Sequence, residues 1–290
     1  MPSPTPSRVL ITGAGAQLAS ALGQRFAPGA AVTALARADL DVTRAADVAR
    51  VFREIQPAIV LNCAAFNDVD GAERQAEAAL AVNGLAVAAL SQAAAAAGAT
   101  LVHYSTDFVF DPATDPGPLP ESAPVRPRSV YGQSKLLGEI YARQTPRHYV
   151  LRVASLLGGT PAKSSLDRMA ATLRRGGVVR AFVDRTVSPS YVHDVADATF
   201  RVLATGVPHG LYHCVNSGHG TWAEVATALA DALGVDAATT VEAVPLASAA
   251  FAVPRPQFAA LSNAALAAHG VPMPPWRDAV ARYAAAASAA

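Results

Sequence analysis

Lysine is nearly absent: Lys135 and Lys163 are the only two in 290 residues, and arginine supplies the rest of the 23 basic side chains. With a net charge of +1 and no basic block, the chain lacks the phosphate-tracking surface that nucleic-acid binding requires, so no nucleic-acid partner is expected. Cysteine is scarce as well. Cys63 and Cys214 lie far apart in apolar stretches, which excludes a disulfide scaffold and predicts buried thiols in a reducing, cytoplasmic compartment. Charged residues make up only 16% against 52% hydrophobic, a balance that excludes both a disordered chain and a charged coiled coil. The run from Ala78 to Val102 is long enough to raise the question of a membrane span. Asn83, Gly84, Ser91 and Gln92 interrupt it and alanine is only weakly apolar, so it is expected to be a buried helix with no membrane anchor. Paired metal-ligand spacings are missing too. His209, His213 and His219 surround Cys214, but neighbours on a strand face opposite ways, and no metal is expected.

What is present is an alternation of apolar strands and helix-forming segments. Arg8–Thr12, Val32–Leu35, Ala58–Leu61, Thr100–Ser105 and Tyr149–Val153 read as strands, and continuous apolar strands separated by helices predict a parallel sheet buried on both faces. Right-handed crossovers then give an α/β, doubly wound (Rossmann) sheet with a smaller C-terminal lobe. The expected division is a dinucleotide-binding domain over 1–153, also using parts of 178–216, and a substrate-binding lobe over 154–290. Ser165–Arg175 is expected to be helical and Val178–Val183 and Gly210–Asn216 to be strands. Thr221–Leu233 is expected to be a helix capped by Thr221 and Glu224. The three prolines of the first seven residues mark a frayed tail, and the alanine-rich stretch from Arg277 a final helix.

One lysine sits four positions after a tyrosine, in Ser129-Val130-Tyr131-Gly132-Gln133-Ser134-Lys135. Seven tyrosines and two lysines placed at random would give that spacing in about one chain in twenty. On a helix, positions i and i+4 share a face, so Tyr131 and Lys135 project together, and a compact ammonium favours the ionised form of a phenol. Upstream, Gly13-Ala14-Gly15-Ala16 follows the first strand and opens a helix, where backbone N–H groups meet a dinucleotide pyrophosphate. Near the end of the second strand stands Arg37, a partner for a 2′-phosphate, which favours NADPH with NADH as the alternative. His103 is expected to be a packed strand histidine, Asp68 and Asp70 solvated loop carboxylates, and Glu139 either a holder of the Lys135 ammonium or a helix decoration.

Several strings together resemble the extended short-chain dehydrogenase/reductases, and within them the dTDP-4-dehydrorhamnose reductase family. They are Ile11-Thr12-Gly13-Ala14 with Gln17-Leu18, Leu40-Asp41-Val42-Thr43, Asn62-Cys63-Ala64-Ala65-Phe66, Val82-Asn83, Ser105-Thr106-Asp107-Phe108-Val109-Phe110-Asp111 and the Tyr131–Lys135 string with Gly138-Glu139. Arg255-Pro256 and Leu261-Ser262-Asn263 add a fainter likeness. The resemblance implies a catalytic triad of Thr106, Tyr131 and Lys135, with Thr106 and Asp107 at a nucleotide-sugar substrate. It implies a cofactor lined by Gln17, Leu18, Asp41, Val42, Ala64, Ala65, Phe66 and Tyr104 beside Gly13, Gly15, Arg37 and Lys135. The chain also departs from the family. Ala16 and Ala19 stand at glycine positions and narrow the approach to the pyrophosphate, Ser155 replaces a tryptophan, and Asp184-Arg185-Thr186-Val187-Ser188-Pro189-Ser190 replaces an Asp-Gln, Gly and Pro-Thr arrangement.

The expected activity is NAD(P)H-dependent reduction of the 4-keto group of a nucleotide-linked 6-deoxy sugar, by an enzyme whose assembly to test is a homodimer. In it Tyr131 gives a proton, Lys135 lowers the phenol's pKa and Thr106 donates to the carbonyl oxygen. Two alternatives are an NAD-dependent epimerase or dehydratase acting on a similar sugar, and a non-catalytic regulatory subunit of the same fold.

Overall fold

The computed structural model describes residues 7–110 and 117–288; the frayed tail expected before residue 7, and Asp111 of the Ser105–Asp111 string, lie outside the described residues. Apolar runs become the strands β1 (Ser7–Thr12), β2 (Ala30–Leu35), β3 (Ile59–Asn62), β4 (Thr100–Thr106) and β5 (His148–Val153). The C-terminal half adds β6 (Leu156–Leu157), β7 (Val179–Phe182), β8 (Thr186–Val187), β9 (Ser190–Tyr191), β10 (Gly210–His213), β11 (Gly220–Thr221) and β12 (Val241–Val244). The helices are α1 (Gln17–Phe26), α2 (Ala45–Ile55), α3 (Val69–Arg74), α4 (Ala76–Leu80), α5 (Ala86–Ala97) and α6 (Val130–Ala142). They continue with α7 (Ser165–Arg174), α8 (Val192–Thr205), α9 (Trp222–Ala232), α10 (Ala237–Thr240), α11 (Ala264–Ala268) and α12 (Trp276–Ser288).

Six strands form one sheet in the order β10-β5-β4-β3-β1-β2, every pair parallel. Its two faces are covered differently. Val9, Ile11, Val102 and Tyr104 pack with Leu18 and Leu22 of α1 and Val195 and Val202 of α8 on one side. Leu10, Val60, Leu101 and Val150 pack with Val51 of α2, Leu90 of α5 and Ala142 of α6 on the other. This is the doubly wound arrangement, reached because each apolar strand has two faces to cover. The lobe has its own core, in which Leu166, Trp222, Leu229, Trp276 and Val280 meet. The segment at 210–213 returns to the main sheet beside β5, whereas 179–182 pairs with β12 inside the lobe. Thr221 and Glu224 form the expected capping box of α9.

The apolar stretch after Ala76 is helical throughout but not uniform: a π turn at Ala81–Leu85 separates α4 from α5. By length and composition Ala76–Ala97 is also a helix that could cross a membrane; here it packs against α2 and α6. The π turn presents Asn83 inward. Its amide donates to the Phe66 carbonyl (3.0 Å) and the Ser134 hydroxyl (2.9 Å) and its oxygen accepts from Phe66 N (2.8 Å), fastening the chain after β3 to α6. Gly132 and Gly138 complete the docking of α6. A side chain on Gly132 would run into the Phe108 carbonyl, and one on Gly138 into the Asn83 carbonyl and the His103 ring.

Glu139, fully buried on α6, accepts from Arg152 Nε and Nη2 of β5, each at 2.8 Å. Half-exposed Arg143 lies 3.4 Å from the same carboxylate, and the Arg152 guanidinium rests 4.8 Å above the Phe110 ring. Glu139 is therefore bonded directly to Arg152, while its charge also acts on Lys135. The lobe is tied to the sheet domain by Asp167, whose Oδ2 accepts from Gln17 Nε2 (3.0 Å) and Ser164 N (2.7 Å) and whose Oδ1 accepts from the Tyr283 hydroxyl (2.7 Å). Removing one partner of a buried pair strands the other charge, so Arg152→Ala is expected to cost about 3–5 kcal/mol, read from the urea midpoint and slope.

Candidate active site

The C-terminal ends of the parallel strands meet the opening turns of α1 and α6, and the side chains singled out above divide into two groups there. Gly13 has a φ of +72°, and a Cβ on it would stand 2.7 Å from Ala64 N, so only glycine lets the first turn pass this close to the end of β3. A Cβ on Gly15 would meet nothing within 4 Å. The helix beyond has Ala16 as its N-cap, no side-chain cap and no acidic residue in its first turn, which leaves its N–H groups for an anion. Ala19 is buried in the core, so its methyl faces the sheet instead of narrowing the turn.

Gly13, Arg37, Asp41, Val42, Ala64, Ala65 and Phe66 line one cavity of about 170 Å³. Leu40 and Val82 line it too and were not singled out; their signal was only a place in quoted strings. The Asp41 carboxylate is turned onto Thr43, accepting from its N (3.0 Å) and hydroxyl (2.7 Å), and these bonds hold its pKa below the usual value. Gln17, Leu18 and Tyr104 are placed otherwise. Gln17 donates to Gly158 O (2.8 Å) and Asp167, and Leu18 is core. The Tyr104 ring points to the α8 side, its hydroxyl 3.0 Å from Thr199 Oγ1, because Tyr104 shares the strand parity of Val102.

The second group gathers where β4 ends. Ser129 caps α6 by accepting from Gly132 N (3.0 Å), which sets Tyr131 and Lys135 in the first turns. Tyr131 is 8% exposed and Lys135 4%. Burial pushes the phenol up to about 12; a hydrogen bond with Thr106 opposes this and the Asp107 charge adds to it. Burial brings Lys135 down to about 8, with the Glu139 charge opposing. The ammonium donates to the Tyr104 carbonyl at 2.6 Å. The expected lowering of the phenol by Lys135 is therefore not what this arrangement gives: desolvation dominates, and the close partner of the ammonium is a backbone oxygen.

Thr106 donates to Asp107 Oδ1 at 3.0 Å and accepts from Phe108 N at 3.2 Å. Asp107 is buried, which raises its carboxyl to about 6, while Arg185 and the Thr106 hydroxyl pull it down. Asp70 was expected to be solvated, yet it holds Arg255 Nη2 at 2.6 Å, and Asp68 caps α3 through Gly71 N. His103 is packed as expected but only half satisfied: Nδ1 lies 3.0 Å from Asn62 Nδ2 and Nε2 has no partner. His213 is buried against the Ser262 carbonyl (3.0 Å), and no group of three metal-ligating side chains occurs among the described residues.

The sequence model of the RmlD substrate binding domain matches residues 7–289. A dTDP-4-dehydrorhamnose reductase of Streptomyces griseus is 38% identical, over 96% of this chain and 93% of the relative. A dTDP-4-dehydrorhamnose reductase of Burkholderia thailandensis is 33% identical, over 94% of this chain and 96% of the relative. Among solved structures, the dTDP-4-dehydrorhamnose reductase of Bacillus anthracis in complex with NADP superposes with a TM-score of 0.91 at 27% identity, covering 96% of this chain and 99% of that one.

Two expectations test this geometry. With only two lysines, protein labelled with ¹³Cε-lysine gives two side-chain signals in NMR. The one abolished by Lys135→Met titrates near pH 8, charged below and neutral above. Gly13→Ala forces a methyl against Ala64 N and is expected to weaken binding of reduced nicotinamide dinucleotide by at least about tenfold in a fluorescence titration.

Proposed function

Since the chain belongs to the RmlD substrate binding domain family, we propose that it is an oxidoreductase that reduces the 4-keto group of a nucleotide-linked 6-deoxy sugar with NADPH. The observation that carries the reading is that α6 sets Tyr131 beside Thr106 at the end of β4 and lays the Lys135 ammonium on the carbonyl of Tyr104 in the same strand. The uncapped opening of α1 and its glycine turn lie at the same edge of the sheet.

The residues at the glycine turn fit the cofactor. Free N–H groups at the start of α1 and the open space above Gly15 suit a pyrophosphate, and the cavity with Leu40, Val42, Ala64 and Val82 suits the adenosine end. Arg37 supplies a cation there for a 2′-phosphate, while the Asp41 carboxylate is engaged by Thr43. When bound, the reduced nicotinamide supplies the hydride. The protein's part is the proton. A phenol held near 12 is protonated at neutral pH and has a proton to give to the oxygen that becomes the alcohol. Lys135 is still largely charged at that pH, and its ammonium is fixed on the Tyr104 carbonyl near the end of β4. Thr106 donates to Asp107 in this structure, so it turns its hydroxyl toward the substrate carbonyl as the ketone arrives. The two buried free thiols suit a cytoplasmic site of action.

The test mixes the protein with NADPH and dTDP-4-keto-6-deoxyglucose, with and without a 3,5-epimerase, and follows the reduced-nicotinamide absorbance. Oxidation is expected. Bound cofactor with no net redox would favour epimerase or dehydratase chemistry, and cofactor binding alone a regulatory subunit. Tyr131→Phe and Lys135→Met are each expected to lower turnover at least about a hundredfold while the fold, followed by circular dichroism, survives. Near-wild-type reduction by Tyr131→Phe would remove the mechanism.

A further inference from the structure

We propose that Arg185, reaching across the cleft from the C-terminal lobe, forms with Asp107 a subsite for one sugar hydroxyl and is a specificity-determining residue of the reaction. Arg185 immediately precedes β8, and its backbone is held on both sides: its carbonyl accepts from Trp222 N (3.1 Å), and Thr186 exchanges hydrogen bonds with Gln257 O (2.7 Å) and Ala259 N (3.0 Å). The side chain is thus projected from a fixed segment. Arg185 Nε is buried without an acceptor, and so is Nη1 of Arg255, which is only 10% exposed. The two guanidinium groups are close enough to repel each other, and Arg185 attracts Asp107. A buried N–H without an acceptor is costly, and a site that binds a ligand is where such a donor is kept.

The charge around these donors identifies the ligand class. Arg255 is already answered by Asp70 and lies over the rings of Phe108 (5.8 Å) and Phe251 (4.7 Å). Arg185 lies within electrostatic reach of Asp107. Two cations thus face two nearby carboxylates, so the local charge does not call for a further anion. The group that fits between an unpaired N–H and a carboxylate is one that accepts and donates at once, a hydroxyl. Asp107 has capacity for it: Oδ1 takes the Thr106 hydroxyl, and a carboxylate has further lone pairs with which to accept a second donor.

This inference rests on the reductase reading, which places the carbonyl at Tyr131 and Thr106. Asp107 adjoins Thr106, so the hydroxyl it shares with Arg185 belongs to a carbon next to the carbonyl. In a 4-keto-6-deoxyhexose the C5 neighbour carries a methyl group and the C3 neighbour a hydroxyl. The subsite therefore selects sugars that keep the 3-hydroxyl.

The experiment compares a nucleotide-linked 4-keto-6-deoxyhexose with its 3-deoxy counterpart, using wild type, Arg185→Met and Arg185→Lys and following NADPH oxidation. Wild type is expected to prefer the hydroxylated sugar by about ten- to a hundredfold in kcat/KM. Arg185→Met removes most of that preference by slowing only the hydroxylated substrate, and Arg185→Lys, which keeps a donor, restores part of it. Unchanged NADPH affinity confirms that the variants are folded. Equal losses on both sugars overturn the proposal, and so does a wild type that does not discriminate, a result independent of whether any variant folds. If neither sugar is reduced, the reductase reading fails on its own. The subsite is then judged by calorimetric Kd for the same pair: a tenfold preference lost in Arg185→Met supports it, and no preference overturns it.

Discussion

The close approach of α6 to β4 and to the π turn is the constraint on which the site depends. Gly132 and Gly138, six positions apart, are where the helix touches backbone carbonyls, and Tyr131 and Lys135 are positioned by that contact. The helix could not retreat by the width of a methyl group without drawing the lysine off the Tyr104 carbonyl. The Asn83 amide, freed from regular helix geometry by the π turn, and the buried Glu139–Arg152 pair secure the same helix on its other contacts. Packing density thus does the work that a longer chain of hydrogen bonds would do elsewhere.

That packing also explains the electrostatics. Tyr131, Lys135 and Asp107 are displaced from their ordinary values mainly by loss of water, each in the direction that disfavours its charged form. At neutral pH the phenol keeps its proton and the ammonium is still largely charged, though less firmly than an exposed lysine.

Much of the architecture could be read in the chain because parallel strands covered on both faces are written as unbroken apolar runs, and all five early strands fall where those runs lie. The Tyr131 and Lys135 placement was legible for a similar reason, since a helix repeats every few residues. Other features are set by distant neighbours. Arg185 comes within electrostatic reach of a residue 78 positions away, and nothing in its own segment marks its unpaired nitrogen as significant. Arg152, a cation inside an apolar strand, becomes intelligible only beside Glu139. Tyr104, a cofactor contact by resemblance, has its ring on the α8 side by the alternation of β4, while its carbonyl accepts from Lys135.

A single carboxylate, Asp167, is grasped at once by the first helix after the glycine turn, by the start of α7 and by a tyrosine of the last helix. Helices α1, α7 and α12, far apart in sequence, are thereby fastened at one point. Losing α12 would loosen the footing of α1, so that helix is a tether for α1 as well as a cover for the lobe.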